Sequence, residues 1–150
     1  MLDIPGLQAK GMDHPQWTTR QNDIPSEAEA AKQVIDEVLA ELHSYAWSEQ
    51  DVFAVHLAIE EAVVNAIKHG NDNNAEKRVR IDYRVSASEL HIEIEDEGPG
   101  FRPEDVPDPT ADENLEKPCG RGLMLMRSFM NTVDFNRLGN RVRLEKTCER

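Results

Sequence analysis

The spacing of apolar side chains in this chain changes character at Gly70, and few folds accommodate that change. Upstream, Ile59, Ala62, Val63, Ala66 and Ile67 recur at helical spacing. Downstream, Val79, Ile81, Tyr83 and Val85 alternate with Arg78, Arg80, Asp82 and Arg84, the period of a strand with one buried face. Leu90, Ile92 and Ile94 repeat the alternation after a short polar link, so the two runs read as an antiparallel pair. A long helix feeding an antiparallel pair, with no strand-helix-strand alternation, excludes a doubly wound parallel sheet.

The rest of the chain fits the same plan. Residues 1–13 carry Pro5, Gly6 and Gly11 without periodicity and read as a loose tail. Trp17 to Arg20 reads as a short first strand. Ser26 with Glu29 has capping-box spacing, followed by Ala31, Val34, Ile35, Val38 and Leu42 on one helical face. Ser48 with Asp51 opens the long helix, from about Glu49 to Gly70. Arg102 to Pro118 contains four prolines and six acids, and a loop so long in a compact domain is a functional lid or disordered. Leu123 to Met130 reads as an apolar helix. Val133 and Phe135, a Gly139-Asn140 turn, then Val142 and Leu144 read as a closing hairpin. The predicted architecture is α+β, a two-layer sandwich in which a mixed, mostly antiparallel sheet is covered on one face by helices, spanning residues 14–150.

Charge narrows the function classes. With 17 Lys+Arg against 29 Asp+Glu the net charge is −12, which argues against nucleic acid, whose affinity comes largely from basic side chains. No apolar run approaches the ~20 residues of a spanning helix, and the first residues lack a signal-peptide pattern. Cys119 and Cys148 give neither a disulfide framework nor metal spacing, so a cytoplasmic, reducing location is expected. His14, His43, His56 and His91 are scattered, and Met124, Met126 and Met130 read as core or interface fillers.

Three segments can carry chemistry. On the long helix, Glu61, Asn65 and Lys68 share a narrow stripe that Ala54, Leu57 and Ala58 make partly apolar. The Asn65 amide oxygen is a hard neutral ligand of the kind Mg²⁺ takes alongside phosphates, although a polar helical stripe can also simply face water. Asp96-Glu97-Gly98-Pro99-Gly100 follows a strand directly. Asp96 there is either a turn starter accepting the next amides or a carboxylate that accepts an exocyclic amine. Gly120-Arg121-Gly122 opens a helix, and its free amides form either an anion site or a glycine hinge for the lid.

In this order, with 31 and then 24 residues between Asn65, Asp96 and Gly120, the segments resemble the Bergerat-fold ATP-binding superfamily. The single-domain length and the pattern Glu61, Asn65-Ala66-x-x-His69-Gly70 resemble most closely the bacterial anti-sigma-factor serine/threonine kinases, over about Trp17 to Lys146. The resemblance implies ATP and Mg²⁺ as cofactors, with Asn65 on the metal. It implies Asp96 on the adenine amino group, and Gly98 and Gly100 shaping that pocket. Gly120 and Gly122 would present amides to the phosphates beneath a lid at 102–119, and Lys68, His69, Arg121 and Leu123 would belong to the nucleotide site. His69 can equally cap or pack the helix end, and Arg121 either touches a phosphate or shields the acidic lid. Glu61 would be the catalytic base, in preference to Glu60, about 100° round the helix. The implied partners are an antagonist protein phosphorylated on serine or threonine and a sigma factor held inactive, with homodimerisation consistent with the family. A nucleotide-loaded module that sequesters a partner without phosphorylating it is the competing reading. The catalytic half of a histidine kinase fits poorly, for want of a helical segment bearing a phospho-accepting histidine.

Overall fold

The computed structural model describes residues 16–100 and 121–148. The loose tail, the acidic lid with Cys119, and Gly120 lie outside them. In chain order the elements are β1 (Thr18–Pro25), α1 (Ala28–Ser44), α2 (Glu49–Val64), a π-helical turn (Asn65–Gly70), β2 (Arg78–Val85), β3 (Glu89–Glu95), α3 (Arg121–Phe129), β4 (Thr132–Phe135) and β5 (Arg141–Thr147). The strands form one sheet in the order β1-β2-β3-β5-β4, and every pairing among them is antiparallel.

Register puts the alternating apolar residues on one face. Ile81 opposes Ile94, Tyr83 opposes Ile92, Ile92 opposes Leu144 and Ile94 opposes Val142, all buried against the helices. Val38 and Leu42 of α1, Val55, Ala58 and Ile59 of α2, and Met126 of α3 close the core from the helical layer. A fully buried side chain such as Ile59 or Ile81 contributes about 1.5–3 kcal/mol. The opposite face is charged, with Arg80 paired to Glu95, and Arg143 to Asp134 and Glu145. A two-layer α+β sandwich follows from this division of residues. Among the described residues no helix is long and apolar enough to cross a membrane.

Local signals were realised unevenly. Ser48 caps α2 as expected, its side chain accepting the Asp51 N–H at 3.1 Å. The predicted capping box at Ser26 does not form. Glu27 occupies the N-cap without a side-chain bond, because the Ser26 hydroxyl donates to the Lys77 carbonyl and accepts from Asn71 Nδ2. The first strand starts at Thr18 and runs on to Pro25, well past Arg20. It is an edge strand with little apolar content, which hid its length from the sequence. The long helix has the expected span, but its last turn is π-helical from Asn65 onward.

Tertiary ties fix how α2 sits. Lys146 Nζ, on β5, is 3.8 Å from Asp51 Oδ1 and donates to the Phe129 carbonyl at the end of α3. At the other end, Gly122 lies beside Glu61 and Asn65. Helix α3 therefore runs antiparallel to α2, with its N-terminus at the π turn.

Candidate functional site

The N-terminus of α3 meets the C-terminal end of α2. A Cβ placed on Gly122 would stand 2.6 Å from Glu61 Oε2 and 3.4 Å from Asn65 Nδ2. A glycine is thus what admits a carboxylate and a carboxamide to the first turn of α3. The first amides of a helix have no intrahelical acceptor and carry the positive end of its dipole. The structure therefore gathers a carboxylate, a carboxamide and a set of anion-accepting amides in one place. Glu61 and Asn65 are both half-buried. Glu60, by contrast, is exposed and paired with His56 at 3.1 Å.

The π turn is the second component. The Asn71 N–H bonds to the Ala66 carbonyl five residues back. Single π turns inside helices mark sites where side chains are redirected at some cost to regularity. This one begins at Asn65. Lys68 and His69 are exposed on it, and no hydrogen bond joins either to Glu61, Asn65 or Asp96 among the described residues. Glu61 and Asn65 of the expected stripe both reach Gly122, and Lys68 follows them on the exposed side of the π turn.

The third component is the turn after β3. The Asp96 carboxylate lies over the Cα of Gly70, in the space a side chain at position 70 would need. Its Oδ1 accepts the Gly98 N–H at 2.7 Å, so the turn-starting role is realised. Burial pushes the Asp96 carboxyl above the ordinary carboxylate range. The Gly98 hydrogen bond and Lys77 oppose that shift, and Glu95 adds to it. A carboxylate held at the cost of its own hydration gains from a cationic or N–H donor ligand.

The glycines of this turn have reasons within the protein. Gly98 is packed on the Gly70 carbonyl, and Gly100, at φ +82°, abuts the Leu138 carbonyl of the β4–β5 hairpin. Close backbone packing explains both without a ligand, whereas the sequence suggested room for one. Arg121 is the first residue of α3. The Leu123 side chain belongs to the core, which leaves only its backbone to face a ligand.

Sequence reasoning missed two asparagines. Asn71 is fully buried; its Nδ2 donates to Ser26 Oγ at 2.7 Å and to the Arg78 carbonyl at 2.9 Å, and its Oδ1 accepts the Glu97 N–H at 2.8 Å. Asn140 exchanges bonds with Asp96: the Asp96 N–H donates to the Asn140 carbonyl at 2.9 Å, and Asn140 Nδ2 donates to the Asp96 carbonyl at 3.1 Å. Both sit among turn residues (Gly70-Asn71-Asp72 and Gly139-Asn140), where asparagine is ordinary and draws no notice. No bound group is needed to explain these contacts. The donor set is nevertheless of the type that suits magnesium and a nucleotide: a neutral amide oxygen, a lone carboxylate and helix-terminal amides.

Comparison with known proteins shows the family of the chain. Residues 24–146 match the family described as histidine kinase-like ATPase domain. The anti-sigma F factor of Clostridium botulinum (strain Eklund 17B) is 34% identical over 104 residues, covering 64% of this chain and 71% of the relative. The serine/threonine-protein kinase BtrW of Bordetella bronchiseptica is 28% identical over 93 residues, with 61% and 66% covered. The serine-protein kinase RsbW of Oceanobacillus iheyensis is 26% identical over 96 residues, with 60% and 61% covered. Among solved structures, the RsbU and RsbW domains of a Mycobacterium tuberculosis protein superpose with a TM-score of 0.59 at 13% identity, over 88% of this chain and 32% of that one. That last likeness concerns the fold.

Proposed function

Because this chain belongs to the histidine kinase-like ATPase domain family, in its anti-sigma-factor serine/threonine kinase branch, we propose that it transfers a phosphoryl group from ATP to an antagonist protein. The observation that carries the proposal is the convergence of Glu61 and Asn65 on Gly122 at the start of α3. Phosphoryl transfer needs positioning, charge neutralisation and a group that orients the nucleophile: the amides at Gly122 would position the phosphates, Asn65 would hold the Mg²⁺ that neutralises charge, and Glu61 would orient the nucleophile.

In this reading the adenine amino group donates to Asp96, and the phosphates lie against the first amides of α3. Asn65 offers its amide oxygen to Mg²⁺, which when bound neutralises charge on the phosphates. Glu61 accepts the proton of a serine or threonine hydroxyl as its oxygen bonds to the terminal phosphorus. The bond from that phosphorus to the bridging oxygen breaks, and ADP leaves. Glu60 is tied to His56 and takes no part. A second activity, holding a sigma factor inactive, is proposed from the names of the relatives.

The test is phosphate transfer from γ-labelled ATP to each purified anti-anti-sigma-type protein encoded in the same genome. Labelled serine or threonine on one of them supports the kinase. Tight ATP binding with no transfer to any of them would instead make the protein a nucleotide-loaded binding module.

A further inference from the structure

The peptide group between Asp96 and Glu97 is held from both sides by asparagine side chains. Its carbonyl accepts from Asn140 Nδ2 at 3.1 Å, and its N–H donates to Asn71 Oδ1 at 2.8 Å. The two asparagines come from opposite ends of the site. Asn71 leaves the π turn, and its own N–H closes that turn on the Ala66 carbonyl. Asn140 belongs to the β4–β5 hairpin, where its N–H donates to Asn136 Oδ1 at 3.0 Å and its Oδ1 accepts from Asn136 Nδ2 at 2.7 Å. Asn71 is further fixed through Ser26 Oγ and the Arg78 carbonyl, so its amide has no rotational freedom to spare.

A peptide plane gripped at both its C=O and its N–H cannot rotate, and the Asp96 side chain leaves the Cα at its edge. The carboxylate is then aimed by three constraints: the clamped plane, the Gly98 N–H on Oδ1, and the bare Cα of Gly70 beneath it. Hydrogen-bond discrimination between ligands depends on such aim, because a misdirected acceptor neither pairs with the right donor nor rejects its absence.

We propose that Asn71 and Asn140 are positioning residues that make Asp96 selective for a purine carrying an exocyclic amine. The proposal rests on the ATP-site reading above. A merely structural role would lower stability and affinity for every ligand alike. A positioning role instead lowers the preference for the amine and leaves phosphate binding unaltered.

The experiment measures dissociation constants for ATP, for purine riboside 5′-triphosphate, which lacks the amino group, and for tripolyphosphate, all with magnesium. The proteins are the unmodified chain, Asn140→Ala, Asn71→Ala and Asp96→Asn. The expected result is that Asn140→Ala and Asn71→Ala each cut the preference for ATP over purine riboside triphosphate by about tenfold, the worth of one well-made hydrogen bond. Tripolyphosphate affinity is expected to change less than twofold. Should Asn71→Ala fail to fold, Asn140→Ala decides the matter, because Asn140 is only half-buried. An unchanged preference in the folded asparagine variants, with Asp96→Asn losing it, would overturn the clamp and leave the ATP site standing. An unchanged preference in Asp96→Asn itself would overturn the site reading on which the clamp depends.

Discussion

Gly98 lies directly on the backbone carbonyl of Gly70, with no room between them for a methyl group. This contact joins the turn that carries Asp96 to the helix end that carries Asn65, two segments far apart in sequence. Gly98→Ala must push them apart, and overpacking of this kind costs about 1–3 kcal/mol. A lower denaturant midpoint together with weaker nucleotide binding is the expected outcome. Chemical denaturation and titration of the same variant measure both.

The pair Asp51–Lys146 anchors α2 to β5, with side-chain exposures of only 7% and 10%. Removing one member of a buried pair leaves the other charge without compensation, at a cost of about 3–5 kcal/mol. Asp51→Ala should therefore lower stability by that order. The double variant Asp51→Leu with Lys146→Met should recover much of the loss. Equilibrium unfolding of the two variants checks the sign of the coupling.

Stability should also depend on pH through Asp82, on the charged face of the sheet. Among the described residues its Oδ1 is buried without a hydrogen-bond partner, and burial pushes its carboxyl above the ordinary range, with Arg80 and the Asn22 N–H opposing. The folded state thus holds this proton more tightly than the unfolded chain does. The stabilisation it gives is complete below the unfolded value and is lost as pH rises through the folded one. Asp82→Asn should raise the unfolding midpoint at neutral pH, with the gain vanishing in acid. Thermal melts across that range test it.

Much of the fold was legible because burial writes itself as periodicity. The alternation from Val79 to Val85 and from Leu90 to Ile94 gave both central strands and their pairing, and Ser48 gave the start of α2. What escaped has a common cause in contacts between distant residues. Ser26 looked like a helix cap until Asn71 and Lys77 claimed its hydroxyl. The edge strand β1 has few apolar residues to betray it. The π turn is a tertiary outcome, so ideal helical periodicity did not show that the helix changes its winding at Asn65. For the candidate site the sequence drew notice to two carboxylates and one carboxamide on a helix or beside a glycine turn, Glu61, Asp96 and Asn65. The asparagines that hold it were overlooked, because an asparagine in a turn has a sufficient local explanation.

The choice between neighbouring carboxylates is open to direct test. Glu61→Gln should reduce phosphate transfer by about 10²–10⁴-fold, the usual worth of a positioned base, while ATP binding persists. Glu60→Gln should leave transfer nearly intact, since it breaks only an exposed pair with His56. Initial rates with the unphosphorylated antagonist protein and saturating ATP separate the two.

The most direct measurement is titration calorimetry of ATP, with and without magnesium, on this protein and on Asp96→Asn. That variant keeps an oxygen for the Gly98 N–H and relieves a buried carboxylate, so it should fold at least as stably as the parent. Magnesium-dependent binding that falls about tenfold or more in Asp96→Asn is the expected result. Absence of ATP binding under either condition, or binding indifferent to the substitution, would contradict the placement of a nucleotide between Asn65 and Asp96.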